Sequence, residues 1–356
     1  MRVLMAMSGG VDSSVAAGLL VQAGHDVVGV TMKLWGGASD TGCCSVSDVD
    51  DARRVAQQLG IDFFVFNFGD DFNRHVVDPY VAAHAAGLTP NPCIECNRHL
   101  KFDRFLERAT ELGFDTVATG HHARVATAPS GSLRVARGAD ALKDQSYVLS
   151  MLTQAELRRV VFPVGHLTKH DVRQEAARLG LRTATKPDSQ DVCFITSTKG
   201  RSGFLSTRIP LTPGRLVDHN TGEQVGIVPA VQLVTIGQRK GLGLAGDHEP
   251  RYAVDVDVPN GIVSVGTADL LLATDVCLGS LAWSDAVVHG PVVVQCSAHG
   301  APVAAVLEQV EQPETSDPPT VMLRFAEPQR KIAPGQSVAF YDAAAPEQVV
   351  GSGIAR

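Results

Sequence analysis

Two cysteines stand three residues apart in TPNPCIECNRHLKF, residues 89–102: Cys93 and Cys96. A C-x-x-C spacing serves three chemistries: half of a tetrahedral metal site, a redox disulfide, or a site with one nucleophilic thiol. The spacing by itself leaves all three open. A second stretch carries a different chemistry. Ser8-Gly9-Gly10-Val11-Asp12-Ser13-Ser14 joins the apolar run RVLMAM to SSVAAGLLVQAG, which has helical spacing. Paired glycines let backbone N–H groups approach an anion, the serines add hydroxyl donors, and a helix N-terminus supplies partial positive charge. The loop lacks the lysine of G-x-x-x-x-G-K-[ST] and is not G-x-G-x-x-G, so neither common nucleotide motif fits. A turn kept Gly-rich for packing is the alternative. Its place in the first strand–helix unit, and Asp12 followed by two hydroxyls, favour the anion loop.

The elements that must position these residues alternate in type. DVVGVTMKLW reads as strand, DVDDARRVAQQLG as an amphipathic helix and IDFFVFNF as strand; FDRFLERATELG (helix) and FDTVATGHHAR (strand) repeat the unit. Strands alternating with helices of about a dozen residues predict a parallel sheet covered on both faces. Such sheets bind ligands outside the carboxyl ends of their strands, where the Ser8–Ser13 loop falls. In GHLTKHDVRQEAARLGL, Thr168 with Asp171 three residues on predicts a helix start. Beyond about residue 205 the chain becomes turn-rich, in TPGRLVDHNTGEQVG and TIGQRKGLGLAG. From about residue 273, SLAWSDAVV, PVVVQCS, TVMLRFAE and QSVAFYD predict a small all-β barrel, with EQPETSDPPT (311–320) as a loop inside it.

The 356 residues are too many for one ordinary core and imply two or three domains. Hydrophobic residues at 44% and charged residues at 19% describe a soluble globular protein. MRVLMAMSGG is no signal peptide, and no apolar run approaches the roughly 18 residues a bilayer span needs, so the expected location is cytoplasmic, with no membrane partner. There, the seven cysteines (43, 44, 93, 96, 193, 277, 296) point to metal binding, catalysis or burial and not to a disulfide framework. A formal charge of −7 argues against a general nucleic-acid binder but permits local basic patches.

Seven segments narrow the reading: MSGGVDSS, TPNPCIECNRHLKF, TGHHAR, KDQSYVL, KPDSQDVCFI, TIGQRKGLG and PGQSVAFYD, in this order. The first resembles the pyrophosphate loop of the ATP pyrophosphatase superfamily. Together the seven resemble the bacterial tRNA-specific 2-thiouridylases, which replace the 2-oxygen of the wobble uridine with sulfur. The resemblance implies an α/β protein: a parallel-sheet ATP pyrophosphatase-type N-terminal domain for adenylation and thiolation (1–205), a small central tRNA-contacting domain (206–272) and a C-terminal β-barrel (273–356). It implies ATP and Mg²⁺ as cofactors, tRNA as substrate, and a sulfur-relay protein or cysteine desulfurase as persulfide donor. A monomer is expected. The chemistry is coherent. A uracil carbonyl has no leaving group until its oxygen is adenylated, and a thiol with pKa near 8.5 needs activation or a persulfide to attack at neutral pH.

Site residues carry over by position. Cys193 matches the persulfide carrier and Cys96 the nucleophile, leaving a Cys96–Cys193 disulfide that a reductant reopens. Composition alone reads Cys193 as a small hydrophobe beside Phe194 and Ile195, and only the KPDSQDVCFI match makes it chemical. Ala6, Met7, Ser8, Gly9, Gly10, Val11, Asp12 and Ser13 match the ATP loop, and Met32 and Gly120 match positions near the nucleotide. Asn91, Pro92, Cys93, Lys143, Asp144 and Gln145 match segments facing the tRNA and its target base. His121 and Gln336 match further tRNA contacts, against plainer readings as a strand-end histidine and a turn glutamine. Arg98, Lys101, Arg104, Arg239 and Lys240 are candidates for phosphate contacts, or form solvated faces.

At two places the chain departs from the family pattern. Cys93 stands where the family often has Asp, and VQCSAHGAP stands where it often has an Arg-Tyr pair, so neither role carries over. Cys93 reopens the metal reading in two forms. Zinc would need Cys43–Cys44 as its other ligands, awkward for vicinal residues. An iron–sulfur cluster on Cys93, Cys96 and Cys193, as in some thiolating relatives, would make Cys96 a ligand. Other readings are an amidating or lysidine-type synthetase, which needs no cysteine, and a non-catalytic tRNA-binding module.

Overall fold

The computed structural model describes residues 1–35, 45–188, 192–195, 200–244, 249–309 and 319–356. Cys43–Cys44 and most of EQPETSDPPT lie outside the described residues. The N-terminal part is a sheet of five parallel strands: β1 (Arg2–Ala6), β2 (Asp26–Lys33), β3 (Asp62–Asn67), β4 (Thr116–Ala118) and, later in the chain, β7 (Val160–Val161). Their order is β3-β2-β1-β4-β7. Alternate β1 side chains serve two cores, as a strand covered on both faces requires. Val3 and Met5 pack with Val15, Ala16, Val55 and Val172 on one face. Leu4 and Ala6 pack with Val30, Met32, Leu100 and Phe105 on the other.

Helices α1 (Val11–Gln22) and α2 (Val46–Leu59) cover the first face together with the Lys169–Arg178 helix. The last starts as the sequence predicts. Thr168 Oγ1 accepts from the Asp171 N–H (3.2 Å) while Asp171 Oδ2 accepts from the Thr168 N–H (2.9 Å). The strand expected over FDTVATGHHAR is shorter and split. β4 pairs with its neighbours over only three residues; the chain leaves the sheet at Thr119-Gly120-His121 and re-forms as the hairpin of β5 (Ala123–Thr127) and β6 (Leu133–Arg137). That departure delivers Gly120 and His121 to the site.

The turn-rich segment folds into a four-stranded sheet: β8 (Gly214–Asp218), β9 (Gln224–Val228), β10 (Tyr252–Asp257) and β11 (Ile262–Gly266), in the order β10-β11-β8-β9. Leu216, Val228, Val263 and Val265 form its core. The expected barrel closes with six strands, ordered β12-β15-β14-β13-β16-β17. They are β12 (Leu272–Trp283), β13 (Gly290–Gln295), β14 (Val303–Gln309), β15 (Val321–Arg330), β16 (Ser337–Asp342) and β17 (Val349–Ala355). Leu278, Val292, Val294, Leu307, Leu323 and Phe340 fill its interior. Among the described residues no helix is long and apolar enough to cross a membrane.

Candidate active site

The loop after β1 is shaped by its own serines. Ser13 Oγ accepts from the Ser8 N–H (3.1 Å) and donates to the Gly10 carbonyl (3.2 Å), and Ser14 Oγ donates to that carbonyl too (2.7 Å). Gly9 adopts φ +74°, and a Cβ there would run into the Asp48 carbonyl, so only glycine fits. Gly10 caps α1 without a side chain, which leaves the first helical N–H groups to an external anion.

Above the loop lies a cavity of about 360 Å³, walled by Ala6–Ser8 and Gly10–Ser13, by Thr31 and Met32 of β2 with Leu34 just past its end, and by Thr119–His122 beyond β4. Four lysines enter it: Lys101, Lys143, Lys169 and Lys186. Lys169 Nζ bonds both Asp12 oxygens (2.7 and 2.8 Å) and lies 2.9 Å from Asp188. Lys143 donates to Asp188 (2.8 Å), as does Arg173 (2.9 Å). Lys186 donates to Asp48 and Asp51 (2.7 Å each) and to the Gly9 carbonyl (3.0 Å), tying the Ser8–Ser13 loop to α2. His122 Nε2 lies 3.1 Å from Asp12.

These contacts set the charge states. Burial pushes the Asp12 carboxyl up, but His122 and Lys169 outweigh it and hold it below the usual carboxylate value. Burial likewise opposes ionisation of Asp188, and Lys143 and Lys169 overcome it, holding Asp188 at about 2. Burial lowers Lys186, but Asp48 and Asp51 raise it further. His121 goes the other way. Enclosure, with Lys101 nearby, drives its pKa well below that of a free imidazole, so it is neutral at pH 7.

The C-x-x-C pair lies on a helical run that the sequence pattern placed only from Phe102 onward. Asn91 starts it, its Oδ1 accepting from the N–H groups of Cys93 (3.1 Å) and Ile94 (3.4 Å), with Pro92 in the first turn. The run continues through Pro92–Glu95, a wide π-helical stretch Cys96–Arg104, and Phe105–Glu111. Its two cysteines have different surroundings: Cys93 is exposed and Cys96 is buried beside Ile94, Leu100 and Phe102. Cys193 packs, half-buried, against the same hydrophobic cluster that contains Cys96. Its neighbour Phe194 anchors it among Phe204 (5.0 Å between ring centres), Tyr80 (5.3 Å), Phe72 (5.7 Å) and Trp35 (6.1 Å). Among the described residues no set of three or more His, Cys, Asp or Glu side chains is arranged to hold a metal ion.

Residues 143–147 face two ways. Lys143 and Gln145 line the cavity. Asp144 turns inward, accepting from Arg137 (2.8 Å) and from the Ser146 hydroxyl (2.8 Å). Gln336, in the barrel, donates to the Thr89 carbonyl (2.5 Å) two residues before Asn91. His121 lines the cavity and is buried. Arg239 and Lys240 are exposed, remote in sequence on the central domain. Sequence reasoning did not single out His122, Asp48, Lys169, Lys186 or Asp188 as site residues. Lys186 and Asp188 lie within KPDSQDVCFI, and a lysine and a carboxylate beside a matched cysteine were the available signal. His122 stands beside the matched His121 in TGHHAR, which was its available signal, whereas Lys169, beside the Thr168 cap, gave none.

Residues 1–197 match the family described as tRNA methyl transferase HUP domain. Residues 202–267 match the tRNA methyl transferase PRC-barrel domain and 287–355 the aminomethyltransferase beta-barrel domain. The chain is 47% identical over 366 residues to the tRNA-specific 2-thiouridylase MnmA of Rhodococcus erythropolis, covering 99% of this chain and 97% of that one. It is 44% identical over 365 residues to the protein of the same name from Chloroflexus aurantiacus, with 100% and 98% covered. The corresponding protein of Rhodococcus jostii is 46% identical, with 99% and 97% covered. With similarity running from end to end, through the phosphate loop, the cysteine helix and the barrel, the chain belongs to the tRNA-specific 2-thiouridylase family.

Proposed function

We propose that this protein is an ATP-dependent tRNA uridine 2-sulfurtransferase. The observation that carries the reading is the cavity, in which an uncapped helix start and four lysines face one space while a helix bearing Cys96 contributes one of its walls through Lys101. ATP lies there with its β- and γ-phosphates on Ala6–Ser13 and its nucleoside near Met32 and Gly120. The uracil 2-oxygen attacks the α-phosphorus, pyrophosphate leaves with the bonding pair, and the N3 proton goes to solvent. The terminal sulfur of a Cys193 persulfide, supplied by a sulfur-relay protein or cysteine desulfurase, then attacks C2, and AMP departs with the C2–O pair. Cys96 thiolate attacks the Cys193 sulfur. That forms the Cys96–Cys193 disulfide and releases 2-thiouridine, which regains a proton at N3. An external thiol resets the pair.

Support for the cysteine assignment comes from packing: Cys96 belongs to the hydrophobic cluster against which Cys193 packs. Mg²⁺ would be held at the Asp12 and Asp188 carboxylates, hard oxygen donors that line the cavity and that Lys169 bridges in this structure, and it would neutralise the departing pyrophosphate. Asn91, Pro92, Cys93, Lys143 and Gln145 form the tRNA-facing set, with His121 serving from inside the cavity, while Asp144 and Gln336, turned onto Arg137 and the Thr89 carbonyl, serve by holding their segments in place. Residues 1–205 perform the chemistry, while 206–272 and the barrel of 273–356 grip the tRNA of a monomeric enzyme. Cys193→Ser tests the assignment. It should abolish 2-thiouridine formation while tRNA-dependent ATP–pyrophosphate exchange continues; unchanged 2-thiouridine in that variant refutes it.

A further inference from the structure

Three of the four cavity lysines are engaged by carboxylates: Lys143 by Asp188, Lys169 by Asp12 and Asp188, and Lys186 by Asp48 and Asp51. Lys101 differs. It lines the same cavity, yet no carboxylate pairs with it among the described residues. Its Nζ lies 3.4 Å from His121 Nε2, and His121 Nδ1 lies 2.7 Å from the Thr119 hydroxyl. An ammonium can only donate, so Nε2 accepts and Nδ1 carries the imidazole proton toward Thr119 Oγ1. A neutral, 7% exposed histidine thus aims the ammonium without cancelling its charge.

Lys101 also stands where two parts of the site meet. It extends from the π-helical stretch that begins at Cys96, about one wide turn along the helix. His121 follows Gly120, which lies so close to the backbone of Asp12 and Ser13 that a Cβ there would stand 2.6 Å from the Ser13 nitrogen. Lys169 and Lys186 attend the loop itself, through Asp12 and the Gly9 carbonyl. Lys101 approaches from the side of the cysteine chemistry.

We propose that Lys101 is a catalytic cation whose ammonium binds an α-phosphoryl oxygen, first as uracil O2 displaces pyrophosphate and again as AMP leaves C2. Lys101 keeps its proton in both steps, and the bonds made and broken are those already described. His121 is its positioning residue. The proposal rests on the adenylation reading above.

The test uses full-length protein with tRNA and ATP, measuring tRNA-dependent ATP–pyrophosphate exchange and 2-thiouridine yield for Lys101→Met and Lys101→Arg. Removing one preorganised charge at a phosphoryl centre is expected to lower kcat by about 100-fold or more. The KM for tRNA should stay within about threefold, and Arg should recover at least about tenfold over Met. Wild-type kcat in Lys101→Met, a loss confined to the KM for tRNA, or an Arg variant no better than Met would each overturn the proposal. If the wild-type protein gives no exchange at all, the adenylation reading fails, and the assignment of Lys101 with it.

Discussion

Gly120→Ala puts one methyl group at the contact on which the phosphate loop depends. A Cβ at Gly120 would stand 2.6 Å from the Ser13 nitrogen, 2.8 Å from the Asp12 carbonyl carbon and 2.9 Å from the Ser13 Cα. All three atoms are backbone, so no side chain can swing aside. Gly120 is not among the positive-φ glycines, and the requirement is therefore steric. Ordinary contact begins near 3.4 Å, so the end of β4 and the start of α1 must part by about 0.8 Å. Neither side has slack: Ser14 is fully buried in the first turn of α1, and Thr119 is 2% exposed. Overpacking of this kind costs about 1–3 kcal/mol, which lowers the melting temperature by several degrees. Displacing a phosphate-positioning group by nearly 1 Å costs about 100-fold in rate. Thermal melting and tRNA-dependent ATP–pyrophosphate exchange measure the two effects separately. A Gly120→Ala protein that melts and exchanges like wild type would refute the reasoning.

Acid stability probes the lysine–carboxylate network. Because Asp188 is held at about 2 in the folded protein against an ordinary 3.8, the unfolded chain binds the proton more readily. Its contribution is thus complete above about pH 4 and is lost as pH falls toward 2. Asp188→Asn should flatten that limb of the melting-temperature profile, and a profile merely shifted downward in parallel would contradict the assignment. Phe194→Ala removes the anchor of the Cys193 segment from its aromatic pocket, where it is 4% exposed. The change should cost about 3 kcal/mol and reduce 2-thiouridine yield far more than pyrophosphate exchange. An equal loss in both assays would place Phe194 in general folding only.

Most of the scaffold was legible because strong periodic signals agreed with tertiary packing. RVLMAM alternates between two cores, Thr168 and Asp171 cap a helix as expected, and SGGVDSS forms the strand-to-helix loop. The central sheet was less legible. β8 and β9 are five residues each, and exposed Val225 and Ile227 break the apolar alternation on β9. β14 and β17 were missed as separate strands even though the barrel itself was expected. Within the candidate site, the shape of the Ser8–Ser13 loop and its place on the cavity were legible because glycines and hydroxyls at fixed spacing constrain a strand-to-helix turn. Lys169 was not. It contacts Asp12 across 157 positions of sequence, and a lysine in a first helical turn looks like any solvated one until the sheet brings the two together.

The barrel was read from sequence as a separate module, yet its contacts make it part of the scaffold of the site. One short segment alternates between them: Lys143 and Gln145 line the cavity, while Asp144, Ser146 and Tyr147 turn to the barrel side. Asp144 holds Arg137, whose guanidinium also donates to Gln295 (2.9 Å) and lies 4.0 Å from the centre of the Tyr341 ring. Ser146 and Tyr341 share a buried hydroxyl contact of 2.9 Å, and Tyr147 donates to the Ser337 carbonyl at 2.8 Å. A second junction joins Gln336 and Pro334 to Thr89, just ahead of the Asn91 cap that starts the cysteine helix. Buried polar contacts of this kind fix one arrangement, because separating them would strand desolvated donors and acceptors. The barrel therefore braces two walls of the site at once, the Lys143–Gln145 edge of the cavity and the origin of the helix that carries Cys96 and Lys101. Under the proposed mechanism, loosening either junction moves groups that adenylation and sulfur transfer both need in place, even where no nucleic acid touches the altered residue.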